Sequence, residues 1–180
     1  MDVDTAEPPP HEVIAPESDA EVAAYRGLAK LKAPANRWGL DGALDDLAAL
    51  ARDLTKARYG AVTVTDVNNK VEGFFVAGLS AKELRRLKTP PQGHGPLGML
   101  RDDGRPVRIE NLDTHPLSFG FPPKHPEMTA LCGVPIWVRG EVRGSIYVTD
   151  KKKTVTFDDR DEAIMLALAR YAGWLIARFW

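Results

Sequence analysis

With 180 residues, 44% of them hydrophobic and 27% charged, the chain has the length and composition of one ordinary globular domain able to bury a real core. Its 24 basic and 25 acidic residues leave a net charge of −1, and no basic run is interleaved with aromatics, which argues against a nucleic-acid surface. The single cysteine, Cys132, excludes an intrachain disulfide and any CxxC zinc or redox motif.

The chain opens on MDVDTAEPPPHEV, acidic and proline-rich, without the apolar stretch of a signal peptide. No segment reaches the ~20 apolar residues of a membrane span, so the expectation is a cytoplasmic protein with no membrane contact. Pro8, Pro9, Pro10 and Pro16 among acidic residues predict a disordered tail to about Glu17. SDAEVAAYRGLAKLK then opens with a capping box, Ser18 and Glu21, and predicts a short helix to about Lys32. APANRW breaks it.

From Trp38 the pattern is dense. GLDGALDDLAALARDLTKA sets Leu40, Leu44, Leu47, Ala51 and Leu54 on one helical face. YGAVTVTD alternates as a half-buried strand, Asn68-Asn69 signals a turn, and VEGFFVAG is its hairpin partner. SAKELRRLK, capped by Ser80 and Glu83, predicts a short helix. QGHGPLGMLRDDG is a glycine-rich loop with one helical piece, and PVRIE is a short strand. An irregular stretch runs from Asn111 to about Leu131, in which Pro122, Pro123 and Pro126 stiffen the approach to the next strand. GVPIWV and GSIYVTD follow as strands joined through RGEVR, and KKKTVTF, with the chain's one basic cluster, is the next connection. The last helix takes Asp159 and Glu162 as its capping box and Ile164, Leu168, Leu175, Ile176 and Phe179 as its apolar side.

This order predicts an α+β fold: a central antiparallel sheet with the N- and C-terminal helices on one face. Residues 1–37 are read as a tail plus a short helix, and 38–180 as the domain proper. The sheet's second face is left to the long loop, and a loop of about twenty residues in a compact domain usually serves function. It is read as the lid of a pocket. Alternation sends Ile146 and Val148 towards the helices and Ser145, Tyr147 and Thr149 towards the lid. It likewise sends Val134, Ile136 and Val138 to the helices and Pro135 and Trp137 to the lid. Such a pocket holds aromatic bodies and few polar atoms, as small-ligand sites do. By alternation alone, Tyr147 reads equally as a sheet tyrosine with its hydroxyl in water.

ARYGAVTV, GFPPKHPEM, LCGVPIWVRGEVRGSIYVTDK and TFDDRDEAIMLALA together resemble a GAF domain, over Leu44 to Trp180. Within that family the chain is most similar to the haem-binding GAF domains of the actinobacterial DosS/DosT (DevS)-type sensor kinases. Those read ARYGA, HPxSxGFPPxHPPM, LGVPVRVR and LYLTDK at the matching places. Here His115 to Met128 read HPLSFGFPPKHPEM. The resemblance implies haem b as cofactor, His125 as the ligand of its iron, and Tyr147 facing a bound diatomic gas: O2, NO or CO. It also implies signalling to a histidine kinase or another output partner. Two departures stand out: HPPM has become HPEM, bringing Glu127 beside His125, and the acidic residue that some members carry on the second hairpin strand corresponds to Ala77. The second implies a path for solvent.

Neutral imidazole is a good axial ligand that leaves the sixth position open, and a phenol opposite can donate to bound O2. Phe119, Phe121, Met128, Leu131 and Trp137 are the candidates to line the macrocycle, on proximity in sequence. His115 is the alternative ligand, while His94 and His11 read as loop and tail residues. A zinc site from His94, His115 and His125 lacks the usual short spacing.

Other ligands remain open, since one fold hosts many functions. Lys124 stands where cyanobacteriochromes carry the cysteine that bonds a bilin, so covalent attachment at that position is excluded, although a bilin-like tetrapyrrole is not. Asp150-Lys151, Phe157 and Asp161-Glu162 echo the NK…F…DE signature of cyclic-nucleotide GAF domains. Free-methionine-sulfoxide reductases of this fold use several cysteines, which Cys132 alone cannot replace. No GxSxG, HExxH or P-loop is present, and no enzyme activity is expected. Trp174, Phe179 and Trp180 carry apolar character to the last residue, which predicts a homodimer through the final helix. A dimerisation module without haem is the alternative function.

Overall fold

The structure, a computed structural model, describes residues 7–86, 96–114, 127–152 and 156–180. Helix α2 (Asp19–Leu28) starts at Ser18, whose hydroxyl accepts from the Glu21 amide at 3.2 Å, while the Glu21 carboxylate turns back to the Glu17 amide at 2.7 Å. After a 3₁₀ turn at Arg37–Gly39, α3 (Leu40–Thr55) carries the apolar face anticipated from its spacing and stops at Lys56. Lys56 takes the left-handed conformation (φ 58°) and hands the chain directly to strand β1.

Strands β1 (Ala57–Thr65) and β2 (Val71–Ala77) form a hairpin. In its turn the Asp66 carboxylate accepts from the amides of Asn68 and Lys70, each at 2.8 Å. Short helices α4 (Ala81–Arg86) and α5 (Pro96–Asp102) precede β3 (Val107–Ile109), β4 (Leu131–Val138) and β5 (Glu141–Lys151). Arg139 and Gly140, both at positive φ, close the β4–β5 hairpin as a two-residue turn of the kind that matches strand twist. The sheet order is β2-β1-β5-β4-β3, with every neighbouring pair antiparallel. The predicted α+β architecture is therefore the observed one.

One face of this sheet is closed by α2, α3 and α6 (Asp159–Phe179). Val62, Val64, Val134, Ile136, Ile146 and Val148 from the strands meet Leu28, Leu44, Leu47, Ile164, Leu168 and Leu175 from the helices in one cluster. Each of these side chains is essentially removed from water, worth about 1.5–3 kcal/mol apiece before the entropy of ordering. The layers are close: a Cβ at Gly60 would collide with the Ala48 carbonyl oxygen of α3. Because α2 contributes Ala20, Ala24, Tyr25 and Leu28 to this core, the packed unit begins before Trp38.

The start of α6 differs by one residue from the sequence reading. Asp158, with extended backbone, is the N-cap, and it exchanges bonds with Asp161 in a capping box (2.9 and 3.0 Å). Asp159 is already helical; with Glu162 it instead grips Arg108 of β3, at 2.7 and 3.0 Å.

The N-terminal segment differs too. Where composition predicts a disordered tail, Pro10–Val13 form one helical turn, α1, against α6. The Trp174 indole N–H donates to the Glu7 carbonyl at 2.9 Å, and the His11 ring meets Tyr171 edge-on. Consecutive prolines reduce the entropy lost on docking, which lets a few contacts suffice. At the other terminus the aromatics find partners within the chain. Trp174 stacks on Tyr171, Phe179 packs edge-on to Trp174, and the Trp180 indole donates to Glu72 at 3.1 Å with Arg37 over its ring. Each of these terminal aromatics thus has a partner within the chain while remaining half-buried. No helix among the described residues is long and apolar enough to cross a membrane.

Candidate functional site

The second face of the sheet is built from smaller parts. Ala61, Ile109, Leu112, Leu131 and Tyr147 form a separate cluster, flanked by Phe74, Val76, Leu97, Val107 and Met128. Helix α5 lies on this face through Leu100, which is wholly buried at the site where Gly133 leaves a gap. A Cβ at Gly133 would stand 2.7 Å from a Leu100 methyl, so this seat exists only because the residue is glycine.

Tyr147 stands at the centre of β5, paired with Ala61 on one side and Gly133 on the other. Two of the smallest residues flank it, so the ring lies in a furrow. It is 8% exposed, and its hydroxyl has no hydrogen-bond partner among the described residues. Burial pushes its pKa far above the ordinary phenol range, so at any physiological pH the group is a neutral donor. Among the described residues it is a donor left free for an acceptor brought to this face, which also carries the mutually bonded hydroxyls of Thr63 and Ser145.

The returning end of the long loop is tied down beside it. Thr149 donates to the Met128 sulfur at 3.4 Å, and the Leu112 amide donates to the Thr129 carbonyl at 2.6 Å. The Asp150 carboxylate accepts from the amides of Thr129 and Ala130, at 2.7 and 3.0 Å, while its own amide donates to the Ala130 carbonyl at 3.1 Å. Asp150 does this from left-handed backbone (φ 56°), which aspartate tolerates better than most residues. Lys151 then reaches the buried Asp161 at 2.6 Å and lies over Phe157. A continuous path of hydrogen bonds and one ion pair runs from residues 128–130 to the first turn of α6. The echo of the NK…F…DE signature is accounted for by this structural brace.

At the β1–β2 end of the same face is a recess of about 30 Å³, lined by Thr63, Thr65, Asn69, Leu97, Arg101 and Ser145. The hydroxyls of Thr63 and Ser145 bond each other at 2.8 Å, and Arg101 is held by Asp102 at 2.7 Å. That volume accommodates one or two water molecules.

Of the residues singled out from sequence, the structure brings Tyr147, Leu131 and Met128 together. Trp137 points to the same face but stands apart. A register shift between Pro135 and Trp137 and a seat over Gly104 carry it to the end of β4, where it is half exposed. Ala77 packs against the helix-side core, so the solvent path inferred from it is not made there. His125, Phe119 and Phe121, with the alternatives His115 and His94, lie outside the described residues. Phe74 and Val76 belong to the site and were missed, although alternation in VEGFFVAG carries them. Leu112 and Leu100 gave no such signal, one lying in irregular chain and the other in a short helix.

Cys132 faces the helices and is fully buried. Burial, reinforced by the carboxylates of Glu162 and Asp161, pushes its thiol up to about 12, which leaves it a packing residue. Among the described residues no group of three histidine, cysteine or acidic side chains is placed to hold a metal ion.

Solved structures share this arrangement. The chain is similar to the GAF domain of a phosphoenolpyruvate-protein phosphotransferase from Coxiella burnetii, with a TM-score of 0.71 and 20% identity over 89% of this chain and 95% of that one. It is similar to a GAF domain/HD domain protein from Geobacter sulfurreducens, with a TM-score of 0.62 and 23% identity over 76% and 91% of the two chains. A type II free methionine-R-sulfoxide reductase from Thermoplasma acidophilum matches with a TM-score of 0.61 and 17% identity, over 79% and 96%. At these identities the likeness speaks for the fold. The GAF domain family model itself matches residues 39–177, from the 3₁₀ turn ahead of α3 almost to the end of α6, and by that match the chain belongs to the GAF domain family.

Proposed function

We propose that this GAF domain is a sensory module whose ligand is haem b, held on the Tyr147 face of the sheet. In this reading His125 would hold the iron, Tyr147 would offer its hydroxyl to the bound gas, and O2, NO or CO would be the ligand sensed. The observation that carries it is the Tyr147 hydroxyl: protonated and without a hydrogen-bond partner among the described residues, on a ring packed in the apolar cluster of the second face. A ligand that presents an acceptor atom above that ring would supply the missing partner.

When bound, the haem iron supplies reversible coordination of the gas. Everything else falls to the chain. Ile109, Leu112, Leu131 and Met128 offer apolar contact to a macrocycle and keep water from it. Tyr147 donates a hydrogen bond to an acceptor that carries negative character. Asp150 holds the return of the His125 loop at a fixed height above the sheet, and the Lys151–Asp161 pair links that height to α6. A change at the loop would thereby reach the last helix and, through it, a histidine kinase or other output partner. A porphyrin needs far more room than the 30 Å³ recess.

That small recess, together with the close seating of Leu100, favours a second reading: a GAF regulatory or dimerisation module that takes no haem. Titration of the purified chain with haemin separates the two. The expected result is a saturable Soret band at one haem per chain, lost in His125→Ala, partly restored by added imidazole, and retained in His115→Ala. A chain that yields no saturable band belongs to the second reading. A band that persists in His125→Ala moves the ligand elsewhere.

A further inference from the structure

We propose that residues 7–14 form a strap over α6 that is docked while His11 is neutral and released when it is protonated. This is independent of the ligand on the opposite face of the sheet. Three features on the N-terminal side carry it. The strap is short, and its anchors are few: the Trp174 indole on the Glu7 carbonyl at 2.9 Å, and the His11 ring set against Tyr171 (5.3 Å between centroids, nearly perpendicular) and Tyr25 (6.4 Å). Pro8, Pro9 and Pro10 hold the segment extended up to the single turn of α1, so little order is lost on release and regained on docking. Most telling, His11 Nδ1 is buried with no hydrogen-bond partner, and it is the sole buried side-chain nitrogen or oxygen among the described residues in that condition.

Protonation turns both ring nitrogens into donors carrying charge, and Nδ1 would then be a buried donor with nothing to receive it. The charged and titratable groups around the ring do not repair this. On α6, Tyr171 is a neutral phenol, raised further by burial and by Glu12. Arg170, also on α6, adds positive charge and is committed to Glu21 and to the Tyr25 hydroxyl. On α2, Tyr25 receives that bond and Glu21 is taken by Arg170 and the Glu17 amide. Among the described residues Glu12, within α1 itself, is the carboxylate that favours the imidazolium, and it is outweighed by burial: the His11 pKa lies below its ordinary 6.5. Attraction of the cation to the two tyrosine rings offsets part of the cost without reversing it.

The sign follows from linkage. Well above pH 6.5 His11 is neutral in both states and docking is at its strongest. As pH falls below 6.5 the released strap takes the proton first, so the docking constant falls by up to tenfold per pH unit until the docked pKa is passed. Release uncovers the stacked pair of Tyr171 and Trp174 on the helix that also receives the Lys151 brace.

The test uses the full chain labelled with nitrogen-15, following the Trp174 indole N–H resonance identified by its loss in Trp174→Phe. In the wild type this signal should move from its docked to its released position between pH 7.5 and 5, with a midpoint below 6.5. His11→Phe keeps a ring in the tyrosine cage without a titrating group and should hold the docked position throughout. His11→Ala should show the released position already at pH 7.5. The proposal is overturned by a wild-type signal that stays still across the range, by a His11→Phe signal that moves as far as the wild type, or by a docked signal in His11→Ala at pH 7.5.

Discussion

The two faces of the sheet are made from the same five strands, yet they are filled in opposite ways. Towards the helices, β1, β4 and β5 present Val62, Val64, Val134, Ile136, Ile146 and Val148, all at 0% exposure. Towards the loops the same strands present Ala61, Thr63, Gly133, Ser145, Tyr147 and Thr149, mixing small, hydroxyl-bearing and aromatic side chains. The first set is interchangeable packing material, and its role ends with stability. The second has a small recess, hydroxyls and, among the described residues, a donor without a partner, features of use to a ligand rather than to packing. The contrast teaches where to look for function in this domain: on the face whose strands carry mixed side chains and a donor without a partner among the described residues.

Truncation on the two faces should break or uphold that contrast most visibly. Leu168→Ala empties a wholly buried position of α6 in the main core, where close packing resists collapse. A loss of roughly 2–5 kcal/mol is expected, towards the upper end. Leu112→Ala, in the smaller cluster under irregular chain, should fall at or below the lower end, since that region relaxes into the gap. Urea unfolding with an unchanged slope measures both. Equal losses would show that the two faces are packed alike.

How much of this was legible beforehand depends on whether the feature repeats along the chain. The helix-side face was readable because Leu40, Leu44, Leu47 and Ala51 recur at helical spacing and Ile146 and Val148 at strand spacing. Tyr147 was readable on the same grounds, but its freedom from partners was not, since that depends on what Ala61 and Gly133 leave beside it. Leu100 and Leu112 reach the site from a seven-residue helix and a bend, where no period exists to betray a direction. The N-terminal strap was hidden for a different reason. Proline and acid content describes what a segment cannot do alone, and docking on Tyr171 and Trp174 is a property of the surface it meets.

A smaller effect should sharpen the comparison at the edge where the faces communicate. Asp150→Ala removes the acceptor of two backbone amides and places alanine in left-handed backbone, for an expected cost of about 1–3 kcal/mol. Asp150→Asn keeps an acceptor oxygen and a side chain that tolerates this conformation, so it should recover most of the loss. Amide hydrogen exchange of residues 128–130 locates the change. Exchange that quickens in Asp150→Ala but not in Asp150→Asn identifies the brace as the restraint on the loop's return. Equal protection in all three proteins would mean that β3 and Leu112 hold that stretch without it.

The smallest expected effect on stability is also the most discriminating. Tyr147→Phe deletes a hydroxyl that has no partner among the described residues and keeps the ring in its furrow. Removing a hydroxyl that makes no bond among the described residues forfeits no hydrogen bond there, so unfolding should shift by less than about 0.5 kcal/mol in either direction. A loss beyond about 1 kcal/mol would show that the hydroxyl is already bonded within the protein, and the face would lose its claim to a free donor. If the chain takes up haem, the same substitution should leave haem content and CO binding nearly unchanged. Bound O2 differs, because it gains negative character that a donor stabilises, and one hydrogen bond is worth about 0.5–1.5 kcal/mol net. At about 1.4 kcal/mol per tenfold, O2 should then leave roughly two- to tenfold faster, as stopped-flow on the ferrous protein would read. Neutral stability with a faster O2 release would mean that Tyr147 is kept for a ligand. Neutral stability with an unchanged release would leave the donor unused by that gas and direct the search to another acceptor above the ring.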